Sequence, residues 1–170
     1  VQYVSGTKDR ELPYQVGTTV QLVGYTNDDW AGSAADRRST SGYVFSLGNA
    51  AIAWSSKKQP IVALSSTEVE YRGAAVATCE TIWLKRLLKD LQEEVSDPTT
   101  IYCDNLNSIQ LAKNPIFHAR TKDIEVHYHF VHQCVLSGEV ELQYVPTDRQ
   151  TTDIFTKPLG LDKLRHFSGE

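Results

Sequence analysis

Residues 42–55, GYVFSLGNAAIAWS, are the stretch from which the fold is first predicted. Two mainly apolar runs, 42–47 and 50–55, have the length and composition of β-strands. They are joined by Gly48-Asn49, and both residue types tolerate the backbone angles that a tight hairpin turn requires. The stretch therefore predicts an antiparallel β-hairpin.

Further elements are predicted on both sides of this hairpin. Residues 18–26, TTVQLVGYT, are rich in β-branched and aromatic side chains and predict a strand before it. From Ser66 to about Leu91, apolar residues recur at helical spacing. The remaining elements are strands at 99–103 and 139–145 and helices at 104–113, 119–136 and 148–156. The order β-β-β-α-β-α-α-β-α predicts an α/β fold with one mixed sheet and helices on its faces.

Composition narrows the class of protein. The 170-residue chain is 41% hydrophobic and 22% charged, which is typical of a soluble globular protein. It has no run of about 18 apolar residues, which a membrane-spanning helix needs, and no secretion-signal pattern at its N-terminus. It contains no methionine, so we expect a piece of a longer polyprotein or a processed product. The net charge of −4 argues against a generally basic nucleic-acid-binding protein but allows a local basic track.

The cysteines and histidines predict no strong metal motif. Three cysteines, Cys79, Cys103 and Cys134, lack CxxC spacing, and we expect buried thiols in a reducing compartment. His127, His129 and His132 lie in a predicted helix without an acidic residue at HExxH spacing. We interpret them as a solvated helix face, with a metal site as the weaker alternative.

Carboxylates at the ends of predicted elements are the best candidates for chemistry, because GxSxG and GxxxxGK[ST] motifs are absent. Crowded carboxylates repel one another unless cations neutralise them, and hard ions such as Mg²⁺ take oxygen ligands. Each also has a purely structural interpretation as a helix cap or as a partner of a helix dipole, including a Ser65–Glu68 capping box. The candidates are Asp28, Asp29, Glu68, Asp104 and Asp153.

These positions carry a family resemblance that extends from residue 24 to residue 159. The matching stretches are GYTNDDWAG (24–32), DRRSTSGYVFSLG (36–48), IAWSSKKQP (52–60), ALSSTEVEY (63–71), IYCDNLNSIQLAKNP (101–115), HARTKDIEV (118–126) and VELQYVPTDRQTTDIFTKPL (140–159). In these stretches the chain resembles the ribonuclease H domain of copia-type LTR retrotransposon polyproteins, of the kind abundant in plants.

The resemblance implies a ribonuclease H-like fold with a five-stranded mixed sheet flanked by helices. It implies hydrolysis of the RNA strand of RNA–DNA hybrids during reverse transcription, with two Mg²⁺ ions, or Mn²⁺ as a substitute. The implied partners are the hybrid and the adjoining reverse transcriptase domain, in the cytoplasmic retrotransposon particle or the nucleus. We expect a connection segment at 1–17, the ribonuclease H domain at 18–159 and a tail at 160–170.

The resemblance also implies the site residues. Glu68 (in SSTEVEY), Asp104 (in IYCDN) and Asp153 (in TTDIFTKPL) match acidic catalytic and metal-binding positions. Asn27 occupies the position of the first catalytic aspartate, and a neutral amide there should weaken metal binding. Asp29 is an additional metal-ligand candidate, since it would face the same side as Asn27 if the strand continues.

Asn27 leaves two functions open: a weakened or inactive ribonuclease H, or a non-catalytic module of the same fold that binds nucleic acid or a host protein. If the first strand instead ends at residue 27, Asp28 is the residue expected to replace the missing carboxylate. Trp54 and Trp83 are predicted to lie in the core because their neighbours are apolar. The predicted nucleic-acid contacts are Ser56, Lys57, Lys58, Asn105, Ser108, Arg120 and Lys122, with Arg37, Arg38 and Lys157 as further basic candidates.

Overall fold

The computed structural model describes Tyr14 and residues 21–33, 35–63, 65–113 and 122–168. Five strands form one sheet in the order β3-β2-β1-β4-β5. The first three strands pair antiparallel, whereas β4 runs parallel to both β1 and β5. The strands are β1 (Leu22–Asp29), β2 (Thr40–Leu47), β3 (Ala50–Lys58), β4 (Thr99–Cys103) and β5 (Val140–Tyr144). The predicted α/β class and mixed five-stranded sheet are confirmed.

Helices cover both faces of the sheet. They are α1 (Ser66–Asp90), α2 (Leu106–Lys113), α3 (Lys122–Leu136), α4 (Asp153–Thr156) and α5 (Leu161–Ser168), with a 3₁₀ turn at Thr147–Arg149. The main core joins α1 and α3 to one face of the sheet, where Phe45, Tyr71, Ile101, Val131 and Leu142 are almost fully buried. Burial of apolar surface of this kind is the chief stabilising contribution to a domain of this size.

Two elements extend further than the sequence pattern indicates. Strand β1 continues to Asp29, so residues 27–29 all belong to it and alternate between the faces of the sheet. Residues 161–168, which we expected to form part of a tail, form helix α5. The domain boundaries at residues 17 and 159 stay a prediction.

The prediction that Trp54 and Trp83 are core residues is wrong. Trp54 is 56% exposed on β3, which is an edge strand, and Trp83 is 55% exposed on the outer face of α1. All three cysteines are free thiols, and Cys103 and Cys134 are buried as predicted, but Cys79 is exposed. Among the described residues, no helix is both long and apolar enough to cross a membrane.

Candidate active site

Strand pairing brings the first two candidate residues together. In the parallel pair β1–β4, Tyr25 lies opposite Tyr102, and their rings stack with centroids 5.0 Å apart. Asp104 directly follows β4. Because adjacent strands are about 4.8 Å apart, this register brings Asp104 to the same end of the sheet as residues 27–29 of β1.

The segment before α4 is held against this part of β1. Gln150 is fully buried, and its amide donates a 3.0 Å hydrogen bond to the carbonyl of Thr26. Gly42 of β2 pairs with Asn27, and a Cβ on Gly42 would lie 2.9 Å from the side chains of Phe155 and Thr156. A glycine at this position therefore allows α4 to approach the sheet closely, and α4 begins with Asp153.

Asp153 is the centre of a group of hydrogen bonds and ion pairs. It is 0% exposed, and Asn27, which is 2% exposed, donates from Nδ2 to its Oδ1. Lys157 Nζ lies 2.9 Å from the same oxygen, and Lys163 Nζ from α5 donates to Oδ2. A buried carboxylate is costly unless it is paired and hydrogen-bonded. An amide and two ammonium groups meet that requirement without a metal ion.

Thr147 links Lys163 indirectly to Asp104. Thr147 Oγ1 donates to Asp104 Oδ2 at 3.1 Å, and the backbone carbonyl of Thr147 accepts a 2.9 Å hydrogen bond from Lys163 Nζ. The Thr147–Arg149 turn thus bridges the two aspartates.

Glu68 is oriented by its own helix. The hydroxyl of Ser65 accepts a 3.2 Å hydrogen bond from the backbone N–H of Glu68 and caps α1, as the structural interpretation predicted. The Glu68 carboxylate forms a 3.1 Å ion pair with Arg72, one turn further along. Its role as a metal ligand stays a prediction, and the structure shows a cationic partner within α1.

Glu70 is a candidate that the sequence interpretation missed. Burial, together with the carboxylates of Asp28 and Asp104, raises the pKa of Glu70 from 4.5 to about 9. Lys157 lowers that pKa, whereas Asp153 adds to the increase. The Oε2 atom of Glu70 is buried and has no hydrogen-bond partner. Glu70 therefore lies within the electrostatic field of the aspartates at the sheet edge.

The signal for Glu70 is present in the stretch SSTEVEY, which contains two glutamates two residues apart. Residues two apart on a helix point in directions that differ by about 200°. Hence only one of them can face the sheet edge, and helical phase decides which one. The family resemblance of SSTEVEY led to the assignment of Glu68, whereas the capping box was its structural interpretation.

Asp28 faces the opposite side of β1, under α1. Its Oδ1 accepts hydrogen bonds from Ser41 Oγ and, at 3.2 Å, from Gln59 Nε2, while its buried Oδ2 has no partner. Burial, with a smaller contribution from Asp104, raises the pKa of Asp28 to about 7. A Cβ on Gly73 of α1 would overlap this carboxylate. Asp28 is therefore packed against α1 rather than directed at Asp153.

Asp29 closes the turn that follows β1. A Cβ on Gly32 would overlap its carboxylate, so this side chain bends back over the turn. This placement agrees with a structural role, and the prediction of Asp29 as a metal ligand stays untested.

No protein-family model matches the chain. Over 168 residues it is 42% identical to the retrovirus-related Pol polyprotein from transposon RE2 of Arabidopsis thaliana. This match covers 99% of the chain but only 12% of that polyprotein. The chain belongs with the retrovirus-related Pol polyproteins of plant transposons. It spans about an eighth of the length of that curated relative.

Solved structures show the fold of this region. LC11-RNase H1, solved in complex with an RNA/DNA hybrid, aligns with a TM-score of 0.58 at 10% identity, over 80% of this chain and 94% of that one. The native prototype foamy virus protease–reverse transcriptase aligns with a TM-score of 0.54 at 11% identity, over 89% of this chain and 20% of that one. The ribonuclease H-like fold is confirmed.

The predicted nucleic-acid contacts are distributed over several places in this Pol segment. Lys57 is exposed, and Lys58 is exposed with its ammonium 3.2 Å from Asp36. Ser56 Oγ donates a 2.5 Å hydrogen bond to the carbonyl of Phe155, which ties β3 to α4.

The other predicted contacts lie near α2 and α3. Asn105 Oδ1 accepts a 3.1 Å hydrogen bond from the backbone N–H of Ser108, as an N-cap does. Ser108 is 1% exposed, which speaks against a phosphate contact. Arg120 lies outside the described residues, and Lys122 is the first residue of α3 but its side chain lies outside them.

The histidines of α3 have protein partners. His129 is exposed and lies 3.8 Å from Glu125, and His132 Nδ1 is 2.7 Å from the carbonyl of Ala112. In the described part of the chain, no three His, Cys, Asp or Glu side chains lie close enough together to hold a metal ion.

Proposed function

We propose that this chain is the ribonuclease H domain of a copia-type Pol polyprotein, and that its hydrolysis of the RNA strand of RNA–DNA hybrids is strongly weakened by Asn27. The observation that carries the proposal is the convergence of acidic side chains at one end of a ribonuclease H-like sheet: Asp104 and Asp153 both act on the carboxyl of Glu70, and Asn27 donates a hydrogen bond to Asp153.

The oxygen donors at this edge are of the type that a hard divalent cation takes, but no three acidic side chains of the described residues lie close enough together to hold one, so binding requires them to move together. Glu70 Oε2 is a buried oxygen without a partner, and Asp104 and Asp153 supply further carboxylate oxygens, which are the donors that Mg²⁺ and Mn²⁺ prefer. When bound, two such ions activate a water molecule and stabilise the leaving oxygen of a phosphodiester. We propose that Glu70, Asp104 and Asp153 hold them, with Glu70 rather than Glu68 as the glutamate ligand.

Asn27 weakens this arrangement in two ways. It removes one negative charge from a site that must neutralise divalent ions. Its amide nitrogen also donates to Asp153, so it competes with a cation for that carboxylate. A misplacement of reacting groups by 1 Å alone lowers a rate by about 100-fold. We therefore expect cleavage to be slow in this chain even where the substrate binds.

The substrate and partner proposals rest on the relatives. LC11-RNase H1 binds an RNA/DNA hybrid, and we extend that substrate class to this chain through the shared fold. The Pol polyprotein from RE2 and the foamy virus protease–reverse transcriptase contain regions similar to this chain within longer proteins. An adjoining reverse transcriptase domain is accordingly the proposed covalent partner.

A non-catalytic module that binds nucleic acid or a host protein is the second candidate function. It is favoured by one observation: the Asp153 carboxylate is neutralised by Asn27, Lys157 and Lys163. A buried carboxylate that has these three hydrogen-bonding and ionic partners can stabilise the domain without a bound metal ion.

Cleavage of a hybrid with a labelled RNA strand tests these alternatives. The assay compares this chain with its Asn27→Asp variant in Mg²⁺ and in Mn²⁺, with a DNA duplex as the control substrate. We expect the variant to cut the RNA strand at least about 100-fold faster than this chain, and neither protein to cut the DNA duplex.

The outcomes separate the two functions. Equal and rapid cutting by both proteins would show that Asn27 does not limit the reaction. Binding of the hybrid without cutting by either protein would favour the non-catalytic module. Failure of both proteins to bind or cut the hybrid would contradict the proposed substrate class.

A further inference from the structure

Lys163 connects helix α5 to the acidic cluster. Its ammonium donates to Asp153 Oδ2 and to the carbonyl of Thr147 at 2.9 Å, and it lies 5.5 Å from the centre of the Phe167 ring. Thr147 in turn donates to Asp104. The ammonium of Lys163 therefore contacts two oxygen atoms of the site, although Lys163 belongs to an element outside the sheet.

Helix α5 packs against the domain through Phe167, near its C-terminal end. Phe167 lines a cleft of about 520 Å³ together with Tyr25, Trp54, Ile154 and Phe155. This cleft lies on the same face of the sheet as Asn27, since Tyr25 and Asn27 are two residues apart on β1. Lys163 and Phe167 lie on the same short helix, so both contacts hold α5 in place. Loss of either the Lys163–Asp153 contact or the packing of Phe167 should therefore weaken the other.

The position of Lys163 has the chemistry of a cation site. A carboxylate oxygen and a backbone carbonyl oxygen are ligands that a hard cation accepts. An ammonium and a divalent ion that bind the same carboxylate oxygen weaken each other's binding, because like charges at that separation repel. Lys163 and a metal ion therefore compete for Asp153 Oδ2.

We propose that Lys163 is a tethered cation that competes with a divalent ion for Asp153, so that binding of the ion weakens the contact of Lys163 and loosens α5. This inference rests on the proposed function for the class of ion. It makes Lys163 a positioning residue that lowers metal affinity and couples α5 to the occupancy of the site.

Binding of Mn²⁺, measured by titration calorimetry without substrate, tests the competition. All proteins carry Asn27→Asp, which restores the carboxylate, and they differ at one lysine. We expect Lys163→Gln to bind Mn²⁺ about tenfold more tightly than the parent, a change of about 1.4 kcal/mol. Lys163→Arg keeps the positive charge and should bind like the parent. Lys89→Gln is the matched control, because Lys89 is exposed and pairs with Glu94.

Amide hydrogen exchange over residues 161–168 tests the coupling to α5. In the Asn27→Asp parent, saturating Mn²⁺ should speed exchange in α5 severalfold, because Lys163 loses its carboxylate partner. In the Lys163→Gln protein, exchange should be fast already and should not respond to Mn²⁺.

Failures of the two proposals have different signatures. If the parent binds Mn²⁺ but Lys163→Gln neither tightens binding nor changes α5 exchange, the tethered-cation inference is overturned and the metal site stands. If the Asn27→Asp parent does not bind Mn²⁺ at all, the proposed metal site fails and the inference fails with it.

Discussion

In the Asn27→Asp background, Glu70→Gln is expected to slow hybrid cleavage by at least about 100-fold, whereas Glu68→Gln leaves the rate within about fivefold. Glu70 is in the field of Asp104 and Asp153 and has an unpartnered buried oxygen, whereas Glu68 is paired with Arg72. The two variants make the same isosteric change two residues apart on α1. Single-turnover cleavage of a labelled hybrid measures both rates.

Stability measurements control for indirect effects on this comparison. Glu68→Gln removes one side of an i,i+4 ion pair and should lower the free energy of unfolding by about 0.5 kcal/mol. Glu70→Gln removes a carboxyl whose raised pKa shows that its charged form is disfavoured. It should therefore leave stability unchanged or increase it near neutral pH. A larger loss of cleavage in Glu68→Gln than in Glu70→Gln would contradict the assignment of Glu70.

The second large effect concerns the contact between Asp28 and Gly73. Alanine is ordinarily more stable than glycine within a helix by about 1 kcal/mol. In this chain Gly73→Ala should instead destabilise the fold, because the added Cβ overlaps the Asp28 carboxylate. In an Asp28→Ala background, Gly73→Ala should stabilise the fold by about 1 kcal/mol. Urea unfolding of the two single variants and the double variant measures this coupling, which we expect to exceed about 2 kcal/mol.

Asp28→Ala alone should raise the free energy of unfolding by about 1–3 kcal/mol at pH 8. It removes a buried oxygen that lacks a partner, while Gln59 Nε2 keeps hydrogen bonds to Ser41 Oγ at 2.8 Å and to the carbonyl of Val69 at 3.3 Å. Additive effects of Asp28→Ala and Gly73→Ala, or a lower stability of Asp28→Ala at pH 8, would show that Asp28 is not packed as described.

The same carboxyl predicts a pH dependence. The pKa of Asp28 is raised from 3.8 to about 7, chiefly by burial, so the folded state holds this proton more tightly than the unfolded state. The protonated carboxyl therefore stabilises folding relative to the charged one, and this contribution is fully present below pH 3.8. It is lost as the pH rises to about 7. The stability difference between Asp28→Ala and this chain should grow over that interval.

The order of elements up to α4 could be predicted from the sequence because each of these elements has a local signal. The Gly48-Asn49 turn between two apolar runs gave the β2–β3 hairpin, and the stretch IYCDN placed Asp104 at the end of β4. Strand β1 ends at Asp29, three residues later than predicted, because Asn and Asp are uncommon in strands and residues 27–29 gave no strand signal. Residues 27–29 are nevertheless extended, because they pair with β2 as far as Asp29.

The remaining features depend on tertiary contacts that no local pattern encodes. Helical phase relative to the sheet edge separates Glu70 from Glu68, although both lie in one stretch. Trp54 has apolar neighbours in sequence but lies on an edge strand, so it is exposed. The contact between Lys163 and Asp153 needs α5 to fold back over α4, and residues 160–170 have few apolar side chains to indicate this.

We expect residue 27 to decide how tightly this edge of the sheet binds divalent ions. Calorimetric titration of Mn²⁺ into this chain and into its Asn27→Asp variant measures it directly. We expect the variant to bind Mn²⁺ at least about tenfold more tightly, because a carboxylate replaces an amide that competes for Asp153. Equal Mn²⁺ affinities for the two proteins would show that residue 27 does not control divalent-ion binding at this edge.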